Sequence, residues 1–329
     1  MQIERLIREQ IYLAKRRNQY RFMKRSTLYT FNSRKVFGLI CIVVGLLLIL
    51  TRCSKDSTNK STTQEKVTQN TQVNKTTAAT DIKEEMTQEE YYTYIQDFNV
   101  DENTLLQLYN LSLKNRKPYS DTLAIWMVEN YKGTASKQIL KMIKSPEGIN
   151  TLLNDSLYET ASHIYSQFIY DLVCFPLSSK KKYSFENGWK QARSYNGARQ
   201  HYGIDIMDPQ NTPGQIKIFS ITDGVIESIG WNEVGGYRVG IRSNGGAYFY
   251  YAHLNENPSH IQKGDAIFAG DYLGDMGDTG YGKEGTRGKF PVHLHVGIAV
   301  KAKGNDEFWV NPYYILRYLE LKDFVYKSL

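Results

Sequence analysis

From about Phe175 onward the chain is cut by glycine-containing turns, and its apolar residues come in short runs rather than at every third or fourth position. Residues 216–221, 224–231, 237–242, 247–253, 265–270 and 292–300 each have the length and composition of a β-strand. The turns between them are marked by Asp223-Gly224, Gly235-Gly236, Asn244-Gly245 and Gly245-Gly246, dipeptides that supply the positive φ a tight reversal needs. Residues 176–329 are therefore expected to form a mostly antiparallel all-β domain.

The preceding stretch, 81–175, has helical periodicity. Thr87 followed by Glu90 predicts a capping box opening a helix through Tyr91 to Phe98. Asp101 predicts the cap of a second helix, with Leu105, Leu108, Tyr109 and Ser112 on one face. Ser120 or Asp121 starts a third, reaching Tyr131. A longer helix is expected from Asp155 to Cys174, with Leu157, Ala161, Tyr165, Phe168 and Leu172 at intervals of three or four, ended by Pro176. A small all-α domain is the expectation. No cluster of catalytic residues falls in it, and His163 reads as a helix-surface or core histidine. Its roles on this reading are spacing, covering the groove of the next domain, or binding a cell-envelope protein partner.

Residues 36–50 read VFGLICIVVGLLLIL, fifteen residues without a charge, between Lys35 and Arg52. A transmembrane helix over 36–52 is expected, with Thr51 and the snorkelling of the flanking cations extending a run shorter than the usual 20 or so. Eleven Lys/Arg and two Asp/Glu lie in residues 1–53, leaving thirty basic and thirty-two acidic residues for the remainder. The formal charge of +7 thus belongs to a basic cytoplasmic tail, residues 1–35, and not to a nucleic-acid surface. No small-residue cleavage site follows the run, so an uncleaved single-pass anchor with the N-terminus in the cytoplasm is expected. Arg52 beside Cys53 is unlike a lipoprotein site. Residues 53–80, rich in Ser, Thr, Gln, Asn and Lys, cannot bury enough apolar surface to fold and are read as a disordered linker. Its r.m.s. reach is about 30 Å. The three cysteines, Cys41, Cys53 and Cys174, form no CxxC pair, so neither a cysteine metal site nor a disulfide framework is indicated.

Within the β domain, His201 and Asp205 are separated by four, and His293 and His295 by two. Alternation along a strand puts His293 and His295 on one face, about 7 Å apart. His201 and Asp205 share a face if a strand starts at Ile204. Two neutral imidazoles and one carboxylate make a three-ligand set that leaves a tetrahedral position open, the arrangement of catalytic rather than structural zinc. His253 ends a third strand. His260 reads as a loop histidine.

These residues also carry a resemblance. The segment from Gly197 through His201 to Asp205 resembles the H-x3-D signature of the lysostaphin-type (LytM-like) zinc endopeptidases of bacterial cell walls. Tyr251-Ala252-His253-Leu254 is similar to that family's Y-x-H-L strand end. Gly264-Asp265 through Gly270, Gly274 and Gly277-Asp278-Thr279-Gly280 resembles its turn series, and Val292-His293-Leu294-His295 its H-x-H strand. The resemblance implies the lysostaphin-like fold of the duplicated hybrid motif type, with a groove over the metal. It implies Zn2+ held by His201, Asp205 and His295, with His253 and His293 as catalytic histidines. The segment from Tyr281 to Phe290 is longer than the corresponding turn of many members and is expected to form a groove wall. Tyr251 and Arg193 are candidate substrate binders.

The expectation is a membrane-anchored zinc metalloendopeptidase, its catalytic domain outside the cell. It would hydrolyse peptide stems or cross-bridges of peptidoglycan, with a zinc-activated water and two assisting histidines. The competing class is a wall-binding scaffold without turnover. Nothing beyond the tail's charge suggests a nucleic-acid partner.

Overall fold

The computed structural model describes residues 87–327, apart from 146–148, 150, 179–181, 196 and 303–305. The expected tail (1–35), transmembrane helix (36–52) and linker (53–80) lie outside the described residues. Among the described residues no helix is long and apolar enough to cross a membrane.

The first helix, α1 (Gln88–Asp97), opens as its sequence predicts. The Thr87 side chain accepts from the Glu90 backbone, and the Glu90 carboxylate accepts from Thr87 N at 2.9 Å. In α2 (Glu102–Asn115) the Asp101 carboxylate caps Asn103 N and Thr104 N at 3.1 and 3.0 Å. Helix α3 (Tyr119–Tyr131) follows Pro118, one residue before the expected start, and is buried on nearly all sides. Helix α4 (Ser136–Ile143) buries Ile139 and Ile143. Helix α5 (Ser156–Ser166) is capped by Asp155 but ends well short of Cys174. The reason lies at Gln167. Its carboxamide donates to the Lys301 carbonyl and accepts from Lys301 N, both at 2.8 Å, and its own carbonyl accepts from Ala247 N. The chain leaves the helix to close the end of the sheet.

The main sheet has the strand order β11-β10-β7-β6-β5-β8, all antiparallel: β5 (Gly224–Asn232), β6 (Gly236–Ser243), β7 (Tyr248–Leu254), β8 (Ala266–Ile267), β10 (His293–Lys301) and β11 (Glu307–Val310). Strand β3 (Ile204–Met207) pairs with the first half of β10, on the side where β11 pairs with its second half. Two short ribbons stand apart: β1 (Ala192–Arg193) with β2 (Arg199–Gln200), and β4 (Lys217–Phe219) with β9 (Tyr272–Asp275). A terminal helix, α6 (Tyr313–Lys327), follows β11.

Helices and sheet share one hydrophobic core. Phe98, Leu105 and Phe168 from the helical side and Ile206, Phe249 and Ile298 from the sheet belong to one buried cluster. Tyr92 of α1 packs edge-on against Phe308 of β11 at 5.8 Å. Residues 86–329 accordingly group as one unit, not two.

Candidate metal centre and groove

Cross-strand register builds the centre. His295 of β10 stands directly opposite Asp205 of β3 on one side and Ala252 of β7 on the other. Directly opposed residues on adjacent antiparallel strands hold their Cβ atoms about 5 Å apart, within bonding reach of a common ion. His201 arrives from just before β3. Its Nε2 lies 3.0 Å from Asp205 Oδ1 and 2.9 Å from His295 Nδ1, and the last two atoms are 3.0 Å apart. Among the described residues these three form a group able to hold a metal ion.

The donor chemistry fits zinc. His201 Nδ1 donates to the Gly188 carbonyl at 2.9 Å, which leaves Nε2 with a lone pair facing the other two ligands. Three lone pairs crowded to 3 Å repel one another unless a cation lies between them. Tetrahedral zinc with bonds of about 2.0–2.1 Å separates its ligand atoms by roughly 3.3 Å, close to the spacing here. Asp205 offers a single oxygen, because Arg193 Nη2 donates to its Oδ2 at 2.8 Å. Burial alone would raise the Asp205 pKa. Hydrogen bonding to His201 and His295 outweighs it and holds the carboxyl well below its usual range, hence ionised. Burial lowers the pKa of His295 against the opposing pull of Asp205. Gly203 belongs to the same geometry, since a Cβ there would lie 2.4 Å from the His295 ring.

His253 and His293 flank the ligand set, their ring centroids 4.6 Å apart. His253 Nδ1 donates to the Thr279 carbonyl at 2.8 Å and His293 Nδ1 to the Pro291 carbonyl at 2.7 Å, so each keeps Nε2 for the groove. His293 Nε2 lies 3.7 Å from Asp205 Oδ1. Burial, reinforced by His293 and His295, pushes the His253 pKa well below the ordinary imidazole value, so the ring is neutral at pH 7.

His253 reaches the groove through an irregularity. Against β6, Tyr237 pairs with Leu254 and Val239 with Tyr251, so β7 carries one extra residue. This is a β-bulge, and His253 takes φ 61°, the left-handed region. Strict alternation would put His253 on the same face as Tyr251.

Tyr251 is the one expected site residue that the structure removes. It is fully buried on the core face of β7, and its hydroxyl accepts from Ile221 N at 2.9 Å. Its neighbours Tyr248, Tyr250 and Ala252 face the groove instead. Arg193 does line the groove, but with its guanidinium engaged by Asp205. His260 Nε2 lies on an exposed loop, 3.0 Å from the Tyr272 carbonyl, away from the centre.

The groove measures about 730 Å³. Tyr281 and Phe290, the two ends of the long segment before His293, line it. Phe290 packs 4.5 Å from the His253 ring, and Tyr281 stacks on Tyr195 at 4.2 Å. Tyr248, Tyr250, Trp309 and Arg238 line the groove as well. None of these four carries a motif. Tyr248 and Tyr250 become readable once Tyr251 is assigned to the core, because strand neighbours alternate. Among the described residues, none of the helical region lines the groove.

Comparison with known proteins agrees with this architecture. The profile of Peptidase family M23 matches residues 199–307, which take in every strand from β2 to β10. An L-Ala--D-Glu endopeptidase of Bacillus subtilis (strain 168) is 40% identical over 154 residues, 47% of this chain and 46% of that protein. The glycyl-glycine endopeptidase ALE-1 of Staphylococcus capitis is 34% identical over 107 residues, 30% of this chain and 28% of that protein. A crystal structure from Ruminococcus gnavus ATCC 29149, assigned as a lytM glycyl-glycine endopeptidase, superposes with a TM-score of 0.57 at 37% identity. It covers 70% of this chain and 91% of that one.

The chain belongs to peptidase family M23. It spans less than half the length of the curated relatives it matches.

Proposed function

We propose that this chain is a zinc metalloendopeptidase that hydrolyses the peptides of bacterial peptidoglycan. It would work from the outer face of the cell membrane, to which residues 36–52 anchor it. The observation that carries the chemistry is the convergence of His201 Nε2, Asp205 Oδ1 and His295 Nδ1 within 3.0 Å, beside two histidines that each keep one nitrogen for the groove. Such a set bridged only by protons would have no use for the flanking pair. The substrate class is supported by the relatives, named as endopeptidases for L-Ala--D-Glu and glycyl-glycine bonds. The anchor is supported by the uncharged run behind a basic tail.

His201, Asp205 and His295 would hold the zinc. When bound, the ion supplies Lewis acidity, lowering the pKa of a water towards neutrality and polarising a peptide carbonyl. The chain's own residues do the rest. Neutral His253, its Nδ1–H fixed on Thr279, has Nε2 available to accept a proton from water and return it to the leaving amine. His293, its Nδ1 fixed on the Pro291 carbonyl, stands beside His253 with ring centroids 4.6 Å apart, and with its Nε2 protonated it would donate to the developing oxyanion. Arg193 holds Asp205 to one oxygen. Tyr281 and Phe290 shield the two catalytic rings from bulk water on one side.

The full-length chain, purified in detergent, tests this on isolated peptidoglycan. New amino termini should appear, and cease when a chelator removes the metal, and return on adding zinc. Tight wall binding with no new termini from the zinc-loaded protein would favour a scaffold instead.

A further inference from the structure

Arg238 sits on the groove side of β6, opposite Gly230 of β5 and beside the bulge of β7. Crossing the sheet, the order is Asp205, His295, Ala252, then Arg238. Arg238 is thus two strand spacings from His295, about 10 Å between backbones. An extended peptide advances about 3.3 Å per residue, so a group held by this guanidinium lies one to three residues from a bond held at the metal centre.

The guanidinium is short of partners. Arg238 Nη1 is buried with no hydrogen-bond acceptor, and no carboxylate among the described residues pairs with it. A buried N–H on a charged group left unsatisfied costs more than a neutral one, so the position is poised for an anion. The groove as a whole has the matching sign. Its charged lining is Arg193, Arg199, Arg238 and Asp205. Arg193 and Asp205 neutralise each other, and Arg199 is engaged by the Tyr281 hydroxyl and ring, which carry no charge. Two guanidinium charges remain without a counter-charge.

The surroundings strengthen that charge. Tyr248, Tyr250 and Trp309 form an aromatic shelf with ring centroids 6.0 to 6.4 Å apart. The shelf closes over Gly297, where a Cβ would lie 2.6 Å from the Trp309 ring. Aromatic walls exclude water and lower the local dielectric, which raises the worth of a charge-assisted hydrogen bond. A run of glycine, without side-chain charge, uses none of this. A peptide with a free carboxylate uses all of it.

We infer that Arg238 is a specificity-determining residue that binds a carboxylate of the substrate, making this groove selective for acidic stem peptides over neutral ones. The inference rests on the peptidase reading above and deepens it.

The test uses two synthetic wall-stem peptides that differ only at one glutamyl α-carboxylate, free in the first and amidated in the second. The zinc-loaded full-length chain in detergent should cleave the acid with kcat/KM about 10- to 100-fold above the amide, the range of one hydrogen-bonded charge pair. In Arg238→Gln the ratio should fall towards one, chiefly by a higher KM for the acid. Arg238→Lys should keep part of it. Zinc content, measured alongside, should remain one ion per chain in both variants. Calorimetric binding of the same peptides to zinc-loaded His253→Ala separates this inference from the peptidase reading. Tighter binding of the acid, lost on adding Arg238→Gln, upholds the subsite even if no bond is ever cut. Equal handling of acid and amide by the unmodified chain, or a preference that survives Arg238→Gln, overturns it.

Discussion

His253 stands in left-handed backbone, which costs a non-glycine residue roughly 1 kcal/mol or more and persists only where its neighbours over-determine it. Those neighbours are identifiable. Thr279 accepts from His253 Nδ1, donates its own hydroxyl to Leu254 O at 2.6 Å, and accepts from Tyr237 N at 3.1 Å. The Gly277–Gly280 turn, legible in the sequence only as a motif, is the clamp that aims this ring. The ligand set and the flanking pair should therefore part company on mutation. His295→Ala removes one of three ligands, and zinc and activity should be lost together. His253→Ala leaves the ligands intact, so zinc content should stay near one while turnover falls about 10²- to 10⁴-fold. Metal analysis beside a cleavage assay reads both, and full zinc in His295→Ala would show the ligand assignment to be wrong. At this scale the sequence showed the spacing of His201, Asp205, His293 and His295, because period-two geometry turns spacing into a shared face. It misdirected Tyr251, because the Y-x-H pattern does not say where a strand bulges. Arg238 was not visible at all, since a lone arginine in a strand has no signature until its lack of a partner is seen.

At the level of elements, local chemistry that satisfies backbone donors was the most readable part of the chain. Thr87 with Glu90, Asp101 and Asp155 each cap the helix they precede. Elements set by distant contacts were not readable. Helix α5 stops where Gln167 meets Lys301, 134 residues away. Strand β11 and helix α6 emerge only against β10 and the helical core. The Asp101 cap gives a measurable case. Burial would raise its carboxyl pKa, but the hydrogen bonds from Thr104 and Asn103 outweigh this and lower it below the usual 3.8. A group with a depressed folded pKa contributes stability above its unfolded pKa and loses it as pH falls through the folded one. Asp101→Ala should thus cost about 0.5–2 kcal/mol at pH 7, seen as a thermal midpoint a few degrees lower. The gap between the two proteins should begin to narrow below about pH 4, where the unfolded chain takes up the proton, and close as pH falls through the lower folded pKa. A gap unchanged down to pH 2 would mean that Asp101 acts through packing.

Across the whole molecule, the described residues of the helical region neither line the groove nor stand apart from the sheet, and their position next to His201 gives them a different task. Asp97, at the end of α1, accepts from Trp189 Nε1 at 2.8 Å and from Lys190 Nζ at 2.6 Å. The segment it grips wraps the first metal ligand. The Gly188 carbonyl accepts from His201 Nδ1, Lys190 N donates to His201 O, and His201 N donates to Gln191 O. Lys190 is itself held at φ 58°, a conformation that needs support from both sides. Nearby, Asn311 N donates to the Gln96 carbonyl and Asn311 Nδ2 to Asn187 Oδ1, so α1 is tied to both flanks of that segment. Asp97 is therefore a positioning residue two steps removed from the ion. Groups that orient a ligand typically change metal affinity 10- to 100-fold when removed, and the extra step places Asp97→Ala at the low end, about tenfold. The Ala variant should need more zinc for half-maximal activity in a metal-buffered titration, yet approach wild-type kcat when saturated. Asp97→Asn, which keeps an acceptor for Trp189, should recover most of the affinity. Were the helices only packing, Asp97→Ala would lower the melting midpoint and leave the zinc titration where it was.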